Sequence, residues 1–403
     1  GKGRNRNPSM GQLLFPLGLA TALSLMGDAT LYTVLPTHTQ EVGVAFVSVG
    51  ILLGVNRAVR VVSNGLVGLV YDHWPRRWLF VPALFLGALS TALYAATRGF
   101  WALFVARLLW GIAWSGIWVG GATMILDLAP ARERGRWTGL YQTWFFVGSA
   151  LGALSGGVLT DLLGFHPTMW IGAAITACGG VVALVLLPET RGARVGADAA
   201  GQGMSGARLG PPPKTSRFAA RLWTNHALWL VLALHGVNRF VVAGILSATL
   251  GLVVESWTRS AGVGLGVATL TGLLMAARTL LSMASAPLAG SISDRTGSRW
   301  KVVAWGLGAG AVGVAALALD GPAPVLVGVF VVAIARGTIQ SLTTTLTGDL
   351  AAVSQRGRAI GALHTVGDIG SAIGPAVAYG LLPYLGLRGV YLLGASLFAV
   401  GDS

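Results

Sequence analysis

Apolar residues fall along this chain in long unbroken runs, not at the period of an amphipathic helix or a strand. Crossing roughly 30 Å of hydrocarbon takes about 20 apolar residues. Runs of that kind, broken by charge, proline or glycine, predict spans near 13–36, 42–71, 78–97, 100–128, 137–163 and 167–188. A second set is predicted near 226–254, 261–292, 301–319, 323–350, 359–385 and 388–400. The last run is short, so the chain is expected to stop inside its twelfth span. The expected class is an all-α integral membrane protein with about twelve transmembrane helices in two six-helix bundles. Its parts are an N-terminal segment 1–12, a first bundle 13–188, a linker 189–221 containing Pro211-Pro212-Pro213, and a second bundle 222–403. The basic N-terminal segment leads straight into a full-length apolar stretch, unlike a cleavable signal peptide.

Composition agrees. Of 403 residues, 54% are hydrophobic and 10% charged, against about 25% charged in soluble domains. Most of this apolar surface is therefore expected to face lipid. The 59 glycines let membrane helices approach closely. A lone Cys178 excludes a disulfide framework. The net charge of +14 is explained by its placement. With spans alternating, 19 Lys and Arg fall on the N-terminal side, three on the other (Arg98, Arg259, Arg388), and six within spans. That asymmetry predicts a multi-pass protein of the cell membrane with its N-terminus and linker in the cytoplasm. Membrane lipids, not nucleic acid, are the expected partner of the basic surface.

An internal repeat appears at an offset of 222 residues. Gly68 falls on Gly290, Asp72 on Asp294, Asp127 on Asp349, Arg134-Gly135-Arg136 on Arg356-Gly357-Arg358, and Gly148-Ser149-Ala150 on Gly370-Ser371-Ala372. Two similar halves with a site between them are the architecture of many secondary transporters.

Six arginines lie within predicted spans: Arg57, Arg60, Arg107, Arg239, Arg278 and Arg336. Each costs about 2.5–3.5 kcal/mol to insert, so each is expected to face protein or a wet cavity. The central acids are mainly Asp28 and Asp368. Helical spacing aligns Asn56, Arg60 and Asn64; Ser24, Asp28 and Tyr32; His235 and Arg239; Arg336 and Gln340; and His364 and Asp368. These stripes predict a central cavity. Some arginines will brace helices against carboxylates, but two acids cannot neutralise six cations, which predicts free guanidiniums for an anion. Trp110, Trp114 and Trp118 follow Arg107 at i+3, i+7 and i+11 and are expected to line the path, against a plain packing role. Asp28, His364 and Asp368 are the candidates for carrying a proton, the histidine because it titrates near neutrality.

Two loops carry matching signatures, Gly68-Leu-Val-Tyr-Asp72-His-Trp-Pro-Arg76-Arg77 and Gly290-Ser-Ile-Ser-Asp294-Arg295-Thr-Gly-Ser-Arg299. Their glycines would permit tight helix contact, each Asp can face a helix N-terminus, and their arginines can pair with Asp127 and Asp349. With Arg134 and Arg356 nearby, such a network would latch one face shut. The plainer alternative is a turn with topology-setting charge. These loops resemble the cytoplasmic signature G-x-L-A-D-R-x-G-R-K of the major facilitator superfamily. Arg107-Leu-Leu-Trp110-Gly111 is similar to that family's R-x-x-Q-G, and Gly148-x-x-x-Gly152-Ala153-x-x-Gly156-Gly157 resembles the G-x-x-x-G-P-x-x-G-G of its drug:proton antiporter branches, without the proline. The resemblance implies alternating access between two bundles.

No phosphate loop, zinc spacing or nucleophile elbow occurs, so no enzyme activity and no cofactor are expected. The chain is expected to be a monomeric, proton-coupled secondary transporter of a small organic solute, anionic or amphipathic. Rivals are a broad-specificity multidrug:proton antiporter and, from another class, an uncoupled lipid scramblase or a membrane receptor.

Overall fold

A computed structural model of the chain describes residues 9–130, 132–190, 224–261, 265–352 and 355–402. The linker 189–221 lies almost wholly outside these residues. Among those described there are helices and turns but no strand, as a chain in hydrocarbon requires when every backbone group must find a partner within its own segment.

Six helices form the first half: α1 Met10–Val34, α2 Val49–His73, α3 Arg77–Ala96, α4 Phe100–Leu128, α5 Arg134–Leu163 and α6 Phe165–Leu186. In the second, α7 comprises His226–Asn238, a π-helical stretch Arg239–Leu246 and Ser247–Ala261. Then come α8 Val267–Thr296, α9 Arg299–Ala316 and α10 Pro322–Leu350. The helical stretch Arg356–Asp402 breaks at Gly386, where φ is 62°, and so holds two helices, α11 (356–385) and α12 (387–402). Ten stretches are long and apolar enough to span a membrane; one of them holds both α11 and α12. Helix α9, less apolar because Arg299 and Lys301 open it, completes the twelve.

Sequence features set the ends. Ser9 and Gln12 form a reciprocal capping box at the start of α1. The second predicted span, 42–71, begins instead at Val49: Gly43, at φ 73°, ends the short helix Thr39–Val42 and turns the chain. The repeat is geometric as well. Helices α4 and α10 have bounds 222 residues apart, and so do α5 and α11. Left-handed Gly99 and Gly164 match left-handed Gly321 and Gly386.

Within the first half α1 packs on α5 and α6, α2 on α4, and α3 on α4 and α6. The halves meet through α2 against α11 and α5 against α8. Gly54 has no room for a Cβ beside the Ala372 carbonyl, nor Gly157 beside that of Ala268. Along α2 the contact with α11 continues through Arg57, bonded to the Ser371 carbonyl, and Arg60, bonded to Asp368. It then stops: Gly65 and Gly68 on α2, and Gly361 on α11, face open space. The halves are therefore joined at the face where α2 begins and parted at the basic face, where α2 and α8 end.

Candidate functional site

Between the halves lies a cavity of about 430 Å³. Of the nine residues expected to bind substrate, Arg57, Arg60, Trp110, Trp114, Arg239, Arg278, Arg336 and Gln340 line it. Arg107 does not. It is fully buried, pairs with Asp28 at 2.5 Å and donates from Nε to the Leu52 carbonyl at 2.9 Å. Its burial and partners make it a brace between α4, α1 and α2, and the expectation that it serves the cavity is corrected. Asp28 lines the cavity but is committed to Arg107. Ser24 is buried with its hydroxyl on the Thr21 carbonyl.

The five cavity arginines differ in how far they are satisfied. Arg57 donates to the carbonyls of Ala243 at 2.5 Å and Ser371 at 3.3 Å, and stands over the Tyr32 ring at 4.7 Å. Arg278 donates to the Val242 carbonyl at 3.3 Å and the Ser247 hydroxyl at 2.9 Å. The Ala243 and Val242 carbonyls lie in the π-helical stretch of α7, a wide turn of a kind that often marks functional sites. Arg60 pairs with Asp368 at 2.6 Å, and Arg239 lies 3.9 Å from the same carboxylate. Arg336 has no hydrogen-bond or ion-pair partner among the described residues; Arg278 and Arg57 are its charged neighbours. Five cations thus share the cavity with two carboxylates, and one guanidinium is uncommitted.

His364 lines the cavity without a hydrogen bond to Asp368, which has turned to the arginines. His235 is buried and shares a 3.0 Å hydrogen bond with Thr343.

The tryptophan stripe on α4 is a continuous stack. Trp110 and Trp114 are 6.0 Å apart, Trp114 and Trp118 5.7 Å, and Trp118 and Tyr141 5.4 Å. Phe145 closes on Trp114 and Trp118. Trp110 is almost wholly enclosed and supports the stack from behind, whereas Trp118 keeps part of its surface free. Phe145 and Phe146 are lining residues that the sequence reading missed; the i, i+4 spacing of Tyr141 and Phe145 was their available signal.

At the basic face the loop signatures are half assembled. Arg76 pairs with Asp127 at 3.0 Å, while the backbone N–H groups of Arg76 and Arg77 donate to Glu189 at 3.0 and 3.1 Å. In the second half Arg299 pairs with Asp349. Arg134 and Arg356 bond the carbonyls of Ala129 and Gly348. Asp72, Asp294 and Arg295 are exposed, and neither Asp has an ion-pair partner among the described residues. Gly68 and Gly290 touch nothing, so the tight helix contact expected of them is absent. The parting of the halves explains this: no surface lies opposite them at that face. The glycine series on α5 is occupied by packing, with Gly148, Gly152 and Gly156 against α1 and Gly157 against α8.

Comparison with known proteins gives a consistent picture. A sequence model of the Major Facilitator Superfamily matches residues 17–270 and 228–401. The "MFS-type transporter gkaD" of Penicillium citrinum is 29% identical over 174 residues, 43% of this chain and 29% of that protein. The class E tetracycline resistance protein of Escherichia coli is 32% identical over 174 residues, 42% of each chain. The matches span less than half the length of these curated relatives. Among solved structures, a bacterial homolog of the human lysosomal transporter Spinster, inward-facing and occupied, superposes with a TM-score of 0.76 at 15% identity. It covers 96% of this chain and 94% of its own. That likeness speaks to the fold.

Proposed function

Because this chain belongs to the Major Facilitator Superfamily, whose sequence model covers nearly all of it, we propose that it is a secondary transporter of a small organic anion, coupled to protons. The observation that carries the anion is Arg336: a cavity guanidinium without a partner among the described residues, beside Arg57 and Arg278. Such a cluster in a low-dielectric site is costly unless an anion joins it, and a guanidinium fork suits carboxylate or phosphate. The test is binding of a compound pair that differs by one carboxylate. The acid should bind at least tenfold tighter than its neutral analogue, and Arg336→Gln should erase the difference; equal binding in the wild type refutes the anion.

Asp368 is the better of the two acids for the proton. Asp28 is held by an enclosed arginine of its own half, while Asp368 joins α11 to Arg60 of the other half and competes with any anion for Arg60 and Arg239. The basic face is taken as cytoplasmic from its Lys and Arg excess, so this conformation is open inward. Asp72 and Asp294 would then engage only when that face closes. Asp72→Asn and Asp294→Asn should slow transport while leaving binding intact; unchanged uptake removes the latch.

One observation favours a second reading. The tetracycline resistance relative and the aromatic wall suit a multidrug:proton antiporter, which becomes the better account if cationic or neutral compounds bind best. A scramblase or receptor would show no gradient-driven accumulation in liposomes.

A further inference from the structure

The offset of 222 residues can be carried into the cavity itself. Trp114 falls on Arg336, Trp118 on Gln340, Phe146 on Asp368, and Asn56 on Arg278. All of these line the same cavity. At three of these four places the first half presents a ring and the second a charge or an amide; at the fourth, the amide of Asn56 matches Arg278. The division is complete for aromatics: every Trp, Tyr and Phe lining the cavity comes from α1, α4 or α5, and none from the second half. The uncommitted guanidinium, Arg336, lies in the second half beside Arg278, with Gln340 one turn further along α10.

Resting on the anion reading above, we infer that the substrate is an aromatic organic anion held in one orientation. Its ring lies against the Trp114–Trp118–Phe145 wall of the first half, and its carboxylate or phosphate sits on Arg336 of the second. The physical reasons are independent. Offset or edge-to-face ring contacts add to area burial, and Trp118 still has free surface to offer. A guanidinium without a carboxylate has charge-assisted donors to spare. A solute that uses both ends bridges the halves, so binding would bias their relative position, which is what alternating access requires of a substrate.

The test is calorimetric titration of the whole protein in lipid nanodiscs with three probes: 2-naphthylacetate, its ring-saturated decahydro analogue, and 2-naphthylethanol. The aromatic acid should bind roughly fivefold tighter than the saturated acid, the size of a ring-contact contribution. Trp118→Leu should remove that preference while leaving the saturated acid unchanged, and Trp118→Phe should retain part of it. Arg336→Gln should weaken both acids about tenfold or more and leave the alcohol unaffected. If the two acids bind wild-type protein equally and both still depend on Arg336, the aromatic inference is overturned and the anion reading stands. If Arg336→Gln leaves both acids unchanged, or the alcohol binds as well as the acid, the anion reading falls and this inference with it. The wild-type comparison needs no variant, so a Trp118→Leu protein that failed to fold would not protect the idea.

Discussion

The two halves of this chain share their backbone devices and differ in the chemistry they bring to the cavity. Helices α4 and α5 recur as α10 and α11 at one offset, entered through left-handed Gly99 and Gly321 and ended by Gly164 and Gly386. Close packing is repeated too: Gly148 and Gly152 meet α1, and their mates Gly370 and Gly374 meet α7. Yet the first half holds an Arg107–Asp28 pair, its arginine enclosed and its carboxylate at the cavity wall, where the second has Val329 and Leu250, and the second leaves Arg336 open where the first has Trp114. Packing surfaces stay alike because a close backbone approach tolerates no added atom. A cavity wall is under no such constraint, and the two walls have gone separate ways.

The strongest way to break this comparison is to remove the brace that only the first half owns. Arg107→Met should cost about 3 kcal/mol of stability, because it leaves the partly buried Asp28 carboxylate without its cation. Adding Asp28→Leu should return most of that loss, as apolar replacement of a whole buried pair often does. A double-mutant cycle from unfolding midpoints in detergent decides it; independent, additive losses would mean the pair is no unit.

A second cut falls on the pair that crosses between halves. Asp368 faces Arg60 from α2, Arg239 from α7 and His364 on its own helix. Protonating it would release two guanidiniums, so anion affinity should rise as pH falls. Asp368→Asn should fix the high-affinity state, roughly tenfold tighter at neutral pH, and abolish uphill accumulation. Protonation of His364 acts in the same direction, so the profile is to be measured in His364→Gln as well. A pH profile that is unchanged in Asp368→Asn assigns the proton elsewhere.

The smallest expected effect sharpens the comparison at the joined face. There Asp161 of α5 accepts a 2.6 Å hydrogen bond from the backbone of Thr269 at the start of α8, so a carboxylate of one half caps a helix of the other. The matching position on α11 is Pro383, which offers no such cap. Asp161→Asn should weaken closure by about 0.3–1 kcal/mol. That corresponds to a two- to fivefold gain in labelling of a cysteine placed in the joined seam, in a Cys178→Ser background; no change would make the cap incidental.

Much of the molecule was legible beforehand because lipid makes the code simple. Apolar length marks spans, and most helix bounds came within a few residues. The start of α2 and the end of α7 shifted most, by seven residues each; at α2 the reason is that Gly43 and the turn after it interrupt a run that remains apolar. The candidate site was legible as a residue set, because an arginine within a span has few places to go: eight of nine candidates line the cavity. Arg107 was the exception. Nothing in its spacing distinguishes a guanidinium enclosed against Asp28 from one facing water, as helical period gives a direction and not what stands there.

Sequence alone determined the class, the two-fold repeat and the imbalance of six arginines over two acids, for these follow from composition and period. Only the tertiary structure decided which cations are consumed. Asp28 and Asp368 lie far apart in the chain from the arginines they neutralise. The Ala243 and Val242 carbonyls that accept from Arg57 and Arg278 stand in the stretch where α7 widens into a π-helix. Whether a charge is free depends on distances between helices, and those are set when the bundles pack.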